Sequence, residues 1–242
     1  MTSLPTAHPP SGSIPLQPHT PRLSSTDSYV LRYMTVNDIP QVMMIDRLSF
    51  PSPWNLQSYT FEIAQSNTSH MVILTTAQPR STGWRGWWTR LRGQPTETVT
   101  VGYAGMWYIA GEAHISTIAV HPDRRGYGLG EVILNGLMQR AVGLGAEYSI
   151  LEVRISNEPA QALYRKYGYA VLDSRPNYYR DNNEDAYIMH TLIDADYADR
   201  LRLLTQQLAT RVNWHNQLTS ADQPTHTGNR NTPFSQMTTP KG

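Results

Sequence analysis

One segment in the middle of the chain constrains the fold more than any other. There an apolar run stops at a proline, two arginines follow, and three glycines at alternate positions open an amphipathic helix; residues 118–130 read IAVHPDRRGYGLG. Alternate glycines let backbone N–H groups converge on one point, and the N-terminus of the helix adds a partial positive charge. The segment therefore predicts a strand, a phosphate-binding turn suited to a pyrophosphate, and a helix, a succession typical of α/β proteins.

The residues around the glycines exclude two familiar nucleotide loops. A P-loop needs a Lys-Ser/Thr pair after its last glycine, and Glu131 and Val132 stand there instead. A Rossmann turn has a different glycine spacing and belongs to an early βαβ unit. Glycines in such a loop also serve tight packing, but the neighbouring Arg124 and Arg125 favour a bound phosphate.

The composition excludes several classes of protein. The 242 residues include no cysteine, which excludes disulfides, cysteine-ligated zinc, iron–sulfur clusters and a thiol nucleophile. A formal net charge of +1 gives no reason to expect general nucleic-acid binding. No run approaches the ~20 apolar residues of a membrane span, and the first residues lack the apolar core of a secretory signal. We therefore expect a soluble, cytoplasmic protein.

The sequence divides into a folded middle and two tails. Residues 1–28 and 213–242 are rich in proline and polar residues and show no hydrophobic periodicity, and we expect both to be disordered. We predict one α/β domain over 29–193, a mixed sheet with helices on both faces, followed by a C-terminal helix within 194–212. The predicted strands are 29–33, 70–77, 99–109, 113–120, 149–153, 169–173 and 186–191, and the predicted helices are 36–48, 55–65, 128–144, 158–167 and 194–210.

Residues 78–95 interrupt this order where a hairpin loop should join two strands. The segment carries four arginines, no acidic residue, and Trp84, Trp87 and Trp88. The interpretation that we favour is a long surface insertion whose tryptophans pack on their own domain, because lengthening a loop costs little conformational entropy. The alternative is a docking element for an RNA-rich surface or a membrane interface, both of which use Arg and Trp.

Several motifs together resemble one enzyme family. Residues 125–130, RGYGLG, match the Arg/Gln-x-x-Gly-x-Gly/Ala signature for acetyl-CoA in the GNAT N-acetyltransferases. The resemblance continues through LEVRISN at 151–157, ALYRKYGY at 162–169, NYY at 177–179, DAYIM at 185–189 and FPSPW at 50–54. These elements are similar to the bacterial GNAT enzymes that acetylate the N-terminal alanine of a small-subunit ribosomal protein. The resemblance covers about residues 29–192 and leaves out both tails and segment 78–95.

The resemblance implies a GNAT fold, acetyl-CoA as co-substrate, a protein N-terminus as acceptor, and no metal. It makes Glu152 the catalytic base and Tyr164 the acid. Tyr178 and Tyr179 follow Pro176 in a predicted loop, and the resemblance places them along the peptide groove. Two adjacent tyrosines point to different sides, so we expect only one of them to contact substrate. The implied acetyl-CoA site comprises Ile118, Ala119, Val120, Arg125, Gly126, Tyr127, Gly128, Leu129, Gly130, Glu131 and Asn157, the last of which would also cap a helix.

The reaction limits what these residues must do. An α-amine has a pKa of about 7.7–8.0 and lysine about 10.4, so roughly 10–20% of α-amines are neutral at pH 7 and about a hundredfold or more fewer lysines are. A modest base therefore suffices for an N-terminal acceptor. Glu152 has an ordinary pKa near 4.3, which calls for either burial or a relaying water. Without the resemblance, a solvated strand end for Glu152 and a core position for Tyr164 are the simpler interpretations.

Two other functions stay open at this point. The same acetyl-CoA site would serve transfer to a small-molecule amine or to a lysine. A GNAT-shaped scaffold without turnover would act as a binding module through segment 78–95, although the joint presence of Glu152, Tyr164 and Asn157 argues against it. The remaining candidates, His70, His114 and His121, lack metal-ligand spacing with nearby acids, and we expect them to be structural or exposed.

Overall fold

The computed structural model describes residues 27–79 and 96–218. Almost all of the predicted N-terminal tail, most of segment 78–95 and the predicted C-terminal tail beyond 218 lie outside these ranges. The strands are β1 (Tyr29–Tyr33), β2 (Ser69–Pro79), β3 (Thr96–Ile109), β4 (Glu112–Val120), β5 (Tyr148–Arg154), β6 (Ala170–Tyr179), β7 (Glu184–Leu192) and β8 (Trp214–Asn216). The α-helices are α1 (Ile39–Ser49), α2 (Leu56–Ala64), α3 (Leu129–Gly143), α4 (Glu158–Lys166) and α5 (Ala195–Ala209). Of these helices, none is both long and apolar enough to cross a membrane.

The strands form one mixed sheet in the order β6-β7-β5-β4-β3-β2-β1-β8. Neighbouring strands are antiparallel except for two parallel pairs, β4 with β5 and β1 with β8. On one face Leu31 and Val72 are fully buried against Ile133 of α3, with α5 alongside. On the other face Ile73 is buried against Val42 of α1, and α2 completes that layer. The predicted mixed sheet with helices on both faces is confirmed.

Side-chain caps fix where three of the helices begin. Asn55 Oδ1 accepts a hydrogen bond from Ser58 N at 2.8 Å at the start of α2. Asp194 does the same for α5, accepting from Tyr197 N at 2.8 Å. Such caps satisfy backbone donors that have no partner within the helix. The third, Asn157, caps α4, as predicted.

The first predicted helix starts later than the hydrophobic spacing indicates. Residues Val36–Asp38 form a 3₁₀ turn, and the α-helix begins only at Ile39. Pro40 explains the difference, because proline is tolerated in the first turn of an α-helix and not in its interior. The 3₁₀ turn is closed by the Asp38 carboxylate, which accepts from Thr35 N at 2.8 Å.

Two strand predictions need correction. β6 does not end at residue 173 but continues to Tyr179, so Tyr178 and Tyr179 lie in a strand and not in a loop. Its pairing with β7 is interrupted after Arg175 and resumes at Tyr179, because Pro176 cannot donate to the ladder and Asn177 has a φ of 51°.

The other correction concerns the predicted C-terminal tail. Residues Trp214–Asn216 form β8, which pairs in parallel with β1, so the prediction of disorder from 213 is wrong for these residues. Tyr29 N also donates to Asn213 O at 3.0 Å. A segment of three residues is too short to show an alternating pattern, and it is ordered here by adding to the edge of an existing sheet.

Candidate active site

A cleft opens in the sheet where β4 and β5 separate. Among the described residues, the two strands pair only from Glu112 with Tyr148 to Ile115 with Leu151, although both continue beyond that point. β4 also carries an extra residue, Ser116, in its register with β3, and such a bulge bends a strand. The cleft has a volume of about 200 Å³, and its lining includes Ser116, Ile118, Glu152, Arg154, Asn157, Tyr164 and Tyr179, with residues of the α1–α2 connection above them.

Glu152 lies at the floor of this cleft. Its side chain is 4% exposed, and its Oε2 lies 2.9 Å from Nε2 of His114 on the neighbouring strand. Its Oε1 lies 3.6 Å from Nη1 of Arg175 on β6. The carboxylate is therefore buried between an imidazole and a guanidinium, and the interpretation of Glu152 as a solvated strand end is wrong.

Sequence reasoning missed the part that His114 plays. We expected it to be structural or exposed, whereas its ring is half-buried between Glu152 and Trp107, which it meets edge-on with 5.5 Å between ring centroids. Its Nδ1 lies 3.8 Å from Oε1 of Glu112, whose other oxygen accepts from Tyr148 Oη at 2.7 Å. The one sequence signal was an imidazole within a predicted strand, two residues after Glu112.

Tyr164 lines the same cleft from α4. Burial raises the pKa of its phenol to about 12, so the hydroxyl stays protonated at neutral pH. Its ring also packs at a tilt against Tyr169, with centroids 5.8 Å apart. Tyr164 is thus a core-packed residue that borders the cleft, and its phenol is suited to donate a proton and not to accept one.

The predicted phosphate-binding turn has left-handed backbone at two of its glycines. Gly126 and Gly128 have φ values of 82° and 81°, and Gly128 is the N-cap of α3. At Gly126 a Cβ atom would meet nothing within 4 Å, so the main chain there is accessible to a ligand. Left-handed backbone of this kind favours glycine, which explains why the sequence has glycine at both positions.

Two side chains of the predicted acetyl-CoA site have partners within the protein. Arg125 donates from Nε to Val120 O and from Nη2 to Ser49 Oγ, both at 3.0 Å, and so closes the turn against the end of α1. Glu131 is buried and forms ion pairs with Lys166 and Arg211. At these two positions the backbone N–H groups are the better candidates for a phosphate.

The two tyrosines of β6 behave differently from one another. Their rings are perpendicular, 5.1 Å apart, and Tyr179 is the one that lines the cleft. The guanidinium of Arg154 lies 3.9 Å from the centre of the Tyr179 ring, a cation–π arrangement. The guanidinium of Arg175 lies 5.8 Å from the centre of the Tyr178 ring.

Arg154 ties the end of β5 to the β6–β7 turn. It donates to Asp181 at 2.7 Å, to Asn182 at 2.9 Å and to Glu184 at 3.0 Å. Glu184 also accepts from the backbone N–H of Ser156 at 2.8 Å, and hydrogen bonds from Ser156 are the main cause that lowers the pKa of Glu184 to about 2. One carboxylate thus links the turn that follows Tyr179 to the start of α4.

A buried carboxylate that the sequence analysis did not single out, Asp46, borders the cleft from α1. It accepts from Trp54 N at 2.6 Å and from the hydroxyl of Tyr103. These bonds hold the α1–α2 connection over the cleft. A carboxyl group at an apolar helical position was the signal available in the sequence.

Comparisons with known proteins agree with this geometry. The family model described as "Acetyltransferase (GNAT) family" matches residues 40–169, more than half of the chain. A Bacillus subtilis protein assigned as a ribosomal protein bS18-alanine N-acetyltransferase is 33% identical over 164 residues, which are 68% of this chain and 95% of that protein. The N-alpha-acetyltransferase RimI of Mycobacterium tuberculosis is 41% identical over 93 residues, 37% of this chain and 57% of that protein.

A solved structure extends the likeness to three dimensions. The crystal structure of the ribosomal-protein-S18-alanine N-acetyltransferase from Escherichia coli superposes with a TM-score of 0.54 at 26% identity, covering 69% of this chain and 94% of that one. The chain therefore belongs to the GNAT family and is an N-acetyltransferase that takes its acetyl group from acetyl-CoA.

Proposed function

We propose that this enzyme acetylates the N-terminal alanine of a small-subunit ribosomal protein in the cytoplasm, by direct transfer, with residues 29–193 as its catalytic domain. The observation that carries the proposal is a single cleft bordered by both a buried carboxylate, Glu152, and a protonated phenol, Tyr164. The substrate class is supported by the likeness to the B. subtilis and E. coli proteins named above.

The chain offers a suitable site for acetyl-CoA, which supplies the acetyl group as a thioester. Beyond Ile115, the edge of β4 that faces β5 has no strand partner among the described residues. Backbone groups of Ile118, Ala119 and Val120 are assigned to an extended pantetheine arm, as an added strand would be held. The turn from Arg125 to Glu131 would receive the pyrophosphate, and Asn157 would contact the arm from the start of α4.

Glu152 is proposed to remove the proton from the α-ammonium group of the acceptor. His114, 2.9 Å from the carboxylate, is placed to share that proton through its Nε2. The hydrogen bond between the carboxylate and the imidazole gives the proton two neighbouring acceptor groups within the cleft. The neutral amine then attacks the acetyl carbonyl: the C–N bond forms, the C–S bond breaks, and the nitrogen loses a second proton, which balances the proton that the thiolate receives.

Tyr164 is proposed to protonate the departing thiolate. A backbone N–H of β4 would polarise the acetyl carbonyl during the attack. The acceptor would enter between the α1–α2 connection, held by Asp46, and Tyr179 on β6. Because the peptide meets Tyr179, the contacts of Arg154 should set how tightly it binds.

Replacing Arg154 with Lys should raise KM for an alanine-initiated peptide by about tenfold while changing kcat less, because an ammonium group cannot reproduce the forked contacts of the guanidinium. Steady-state kinetics with varied peptide would measure this. Arg180→Lys, in the same turn, is the matched control. An unchanged KM in Arg154→Lys would remove the positioning role, and calorimetric binding of acetyl-CoA should stay at the wild-type value.

The substrate assignment is tested by the first residue of the acceptor. The full chain is incubated with acetyl-CoA and peptides that differ only in starting with Ala, Ser, Met or Gly, together with a free polyamine. We expect the largest kcat/KM for Ala. Equal values for all four peptides would reject the alanine preference, and turnover of the polyamine alone would reject the protein substrate.

A further inference from the structure

The C-terminal part of the chain packs beside the phosphate-binding turn. α5 and β8 lie beyond residues 40–169, which the family model matches. The Cγ2 atom of Val212 would lie 3.5 Å from a Cβ atom on Gly128, so this extension is in contact with the N-cap of α3. The pairing of β8 with β1 fixes the extension in that place.

Two cations stand at this junction and share one carboxylate. Arg211 Nη2 lies 2.9 Å from Oε2 of Glu131, and Lys166 Nζ lies 2.5 Å from its Oε1. Glu131 is in the first turn of α3, and its side chain is 8% exposed, whereas those of Arg211 and Lys166 are 50% and 37% exposed. The buried acid therefore anchors two side chains that reach solvent beside the turn.

The charge balance of this cluster is positive. Burial opposes ionisation of Glu131, but the hydrogen bonds from Lys166 and Arg211 outweigh it and keep the pKa of Glu131 below its usual value. One negative and two positive charges leave a net charge of +1 next to a helix N-terminus, where backbone N–H groups already favour an anion. A guanidinium has five N–H donors and an ammonium has three, so binding Glu131 leaves donors for a second anion.

We propose that Arg211 and Lys166 bind a phosphate group of coenzyme A, which makes the C-terminal extension part of the nucleotide site. The inference rests on the proposed placement of acetyl-CoA at the turn from Arg125 to Glu131. Coenzyme A carries two kinds of phosphate, the pyrophosphate and the 3′-phosphate, and the same donors suit either. Glu131 would act by holding both cations in place.

The test is calorimetric binding of coenzyme A and of 3′-dephospho-coenzyme A to the full chain, without peptide. In Arg211→Gln and Lys166→Gln we expect the affinity for coenzyme A to fall by about tenfold. Arg202→Gln is the matched control, because Arg202 is 74% exposed on α5 and pairs only with Asp199 among the ion pairs of the described residues. Its affinity should equal that of the wild type.

The second ligand separates the two phosphates. If the glutamine variants lose affinity for coenzyme A but not for the dephospho compound, the cations bind the 3′-phosphate. If they lose affinity equally for both compounds, the cations bind the pyrophosphate. Wild-type affinity in both glutamine variants would overturn the inference while leaving the proposed function intact. A wild-type protein that does not bind coenzyme A would instead reject the proposed function itself. If Arg211→Gln unfolds, Lys166→Gln carries the test, with Arg202→Gln as its control.

Discussion

Replacing Glu152 with Gln is expected to lower kcat for an alanine-initiated peptide by about 10²- to 10⁴-fold, the range typical of a lost general base. Glutamine has nearly the same shape and retains a carbonyl oxygen toward His114, 2.9 Å away in the wild type, but it cannot take up a proton. The deficit should be largest below pH 7 and shrink above pH 8. At the higher pH more of the acceptor is already neutral, because an α-amine has a pKa of about 7.7–8.0.

The pH series of kcat in wild type and variant measures this directly. His114→Gln is the informative companion, since it removes the imidazole and leaves the carboxylate. A modest loss there with a large loss in Glu152→Gln assigns the proton to the carboxylate. Full activity of Glu152→Gln at pH 6.5 would eliminate Glu152 as the base.

Tyr164→Phe is expected to lower kcat by about 10²-fold without weakening acetyl-CoA binding, because only the hydroxyl is lost and the ring packing remains. The phenol has a pKa of about 12, whereas a thiol has one near 8.5, so proton transfer to a fully formed thiolate would be unfavourable by about 5 kcal/mol. Proton donation must therefore accompany bond cleavage. Since the raised pKa keeps the phenol protonated below about pH 12, ionisation of Tyr164 should not reduce the activity between pH 8 and 10.

Single-turnover kinetics and calorimetric binding of acetyl-CoA would separate these effects. Tyr108→Phe is a suitable control, because Tyr108 is a half-buried tyrosine on β3 that does not border the cleft. A wild-type rate in Tyr164→Phe would mean that water protonates the thiolate. A lower rate together with weaker binding would mean that Tyr164 shapes the cofactor site and is not the acid.

Much of the fold could be predicted because its signals are local. The proline, the arginines and the glycines of residues 118–130 predict the turn. Asn157 and Asp194 indicate where two helices begin, because both residue types cap helices. The resemblance then pointed to Glu152 and Tyr164 as a pair. Both side chains border one cleft, although their chemical roles stay predictions.

The rest depends on contacts between distant parts of the chain. His114 meets Glu152 only because β4 and β5 lie side by side in parallel, and a sequence alone does not give that register. The separation of these strands, which creates the cleft, is likewise a property of the sheet. β8 is too short to show an alternating hydrophobic pattern. Arg154 contacts residues that lie 27 to 30 positions further along the sequence.

The central claim is that the acceptor is the α-amine of an N-terminal alanine. Mass spectrometric location of the acetyl group tests it most directly, with one peptide that carries both a free N-terminal alanine and an internal lysine, and its N-blocked twin. We predict a single acetyl group on the alanine nitrogen of the first peptide and none on the twin. Acetylation of lysine, in either peptide, would contradict the account.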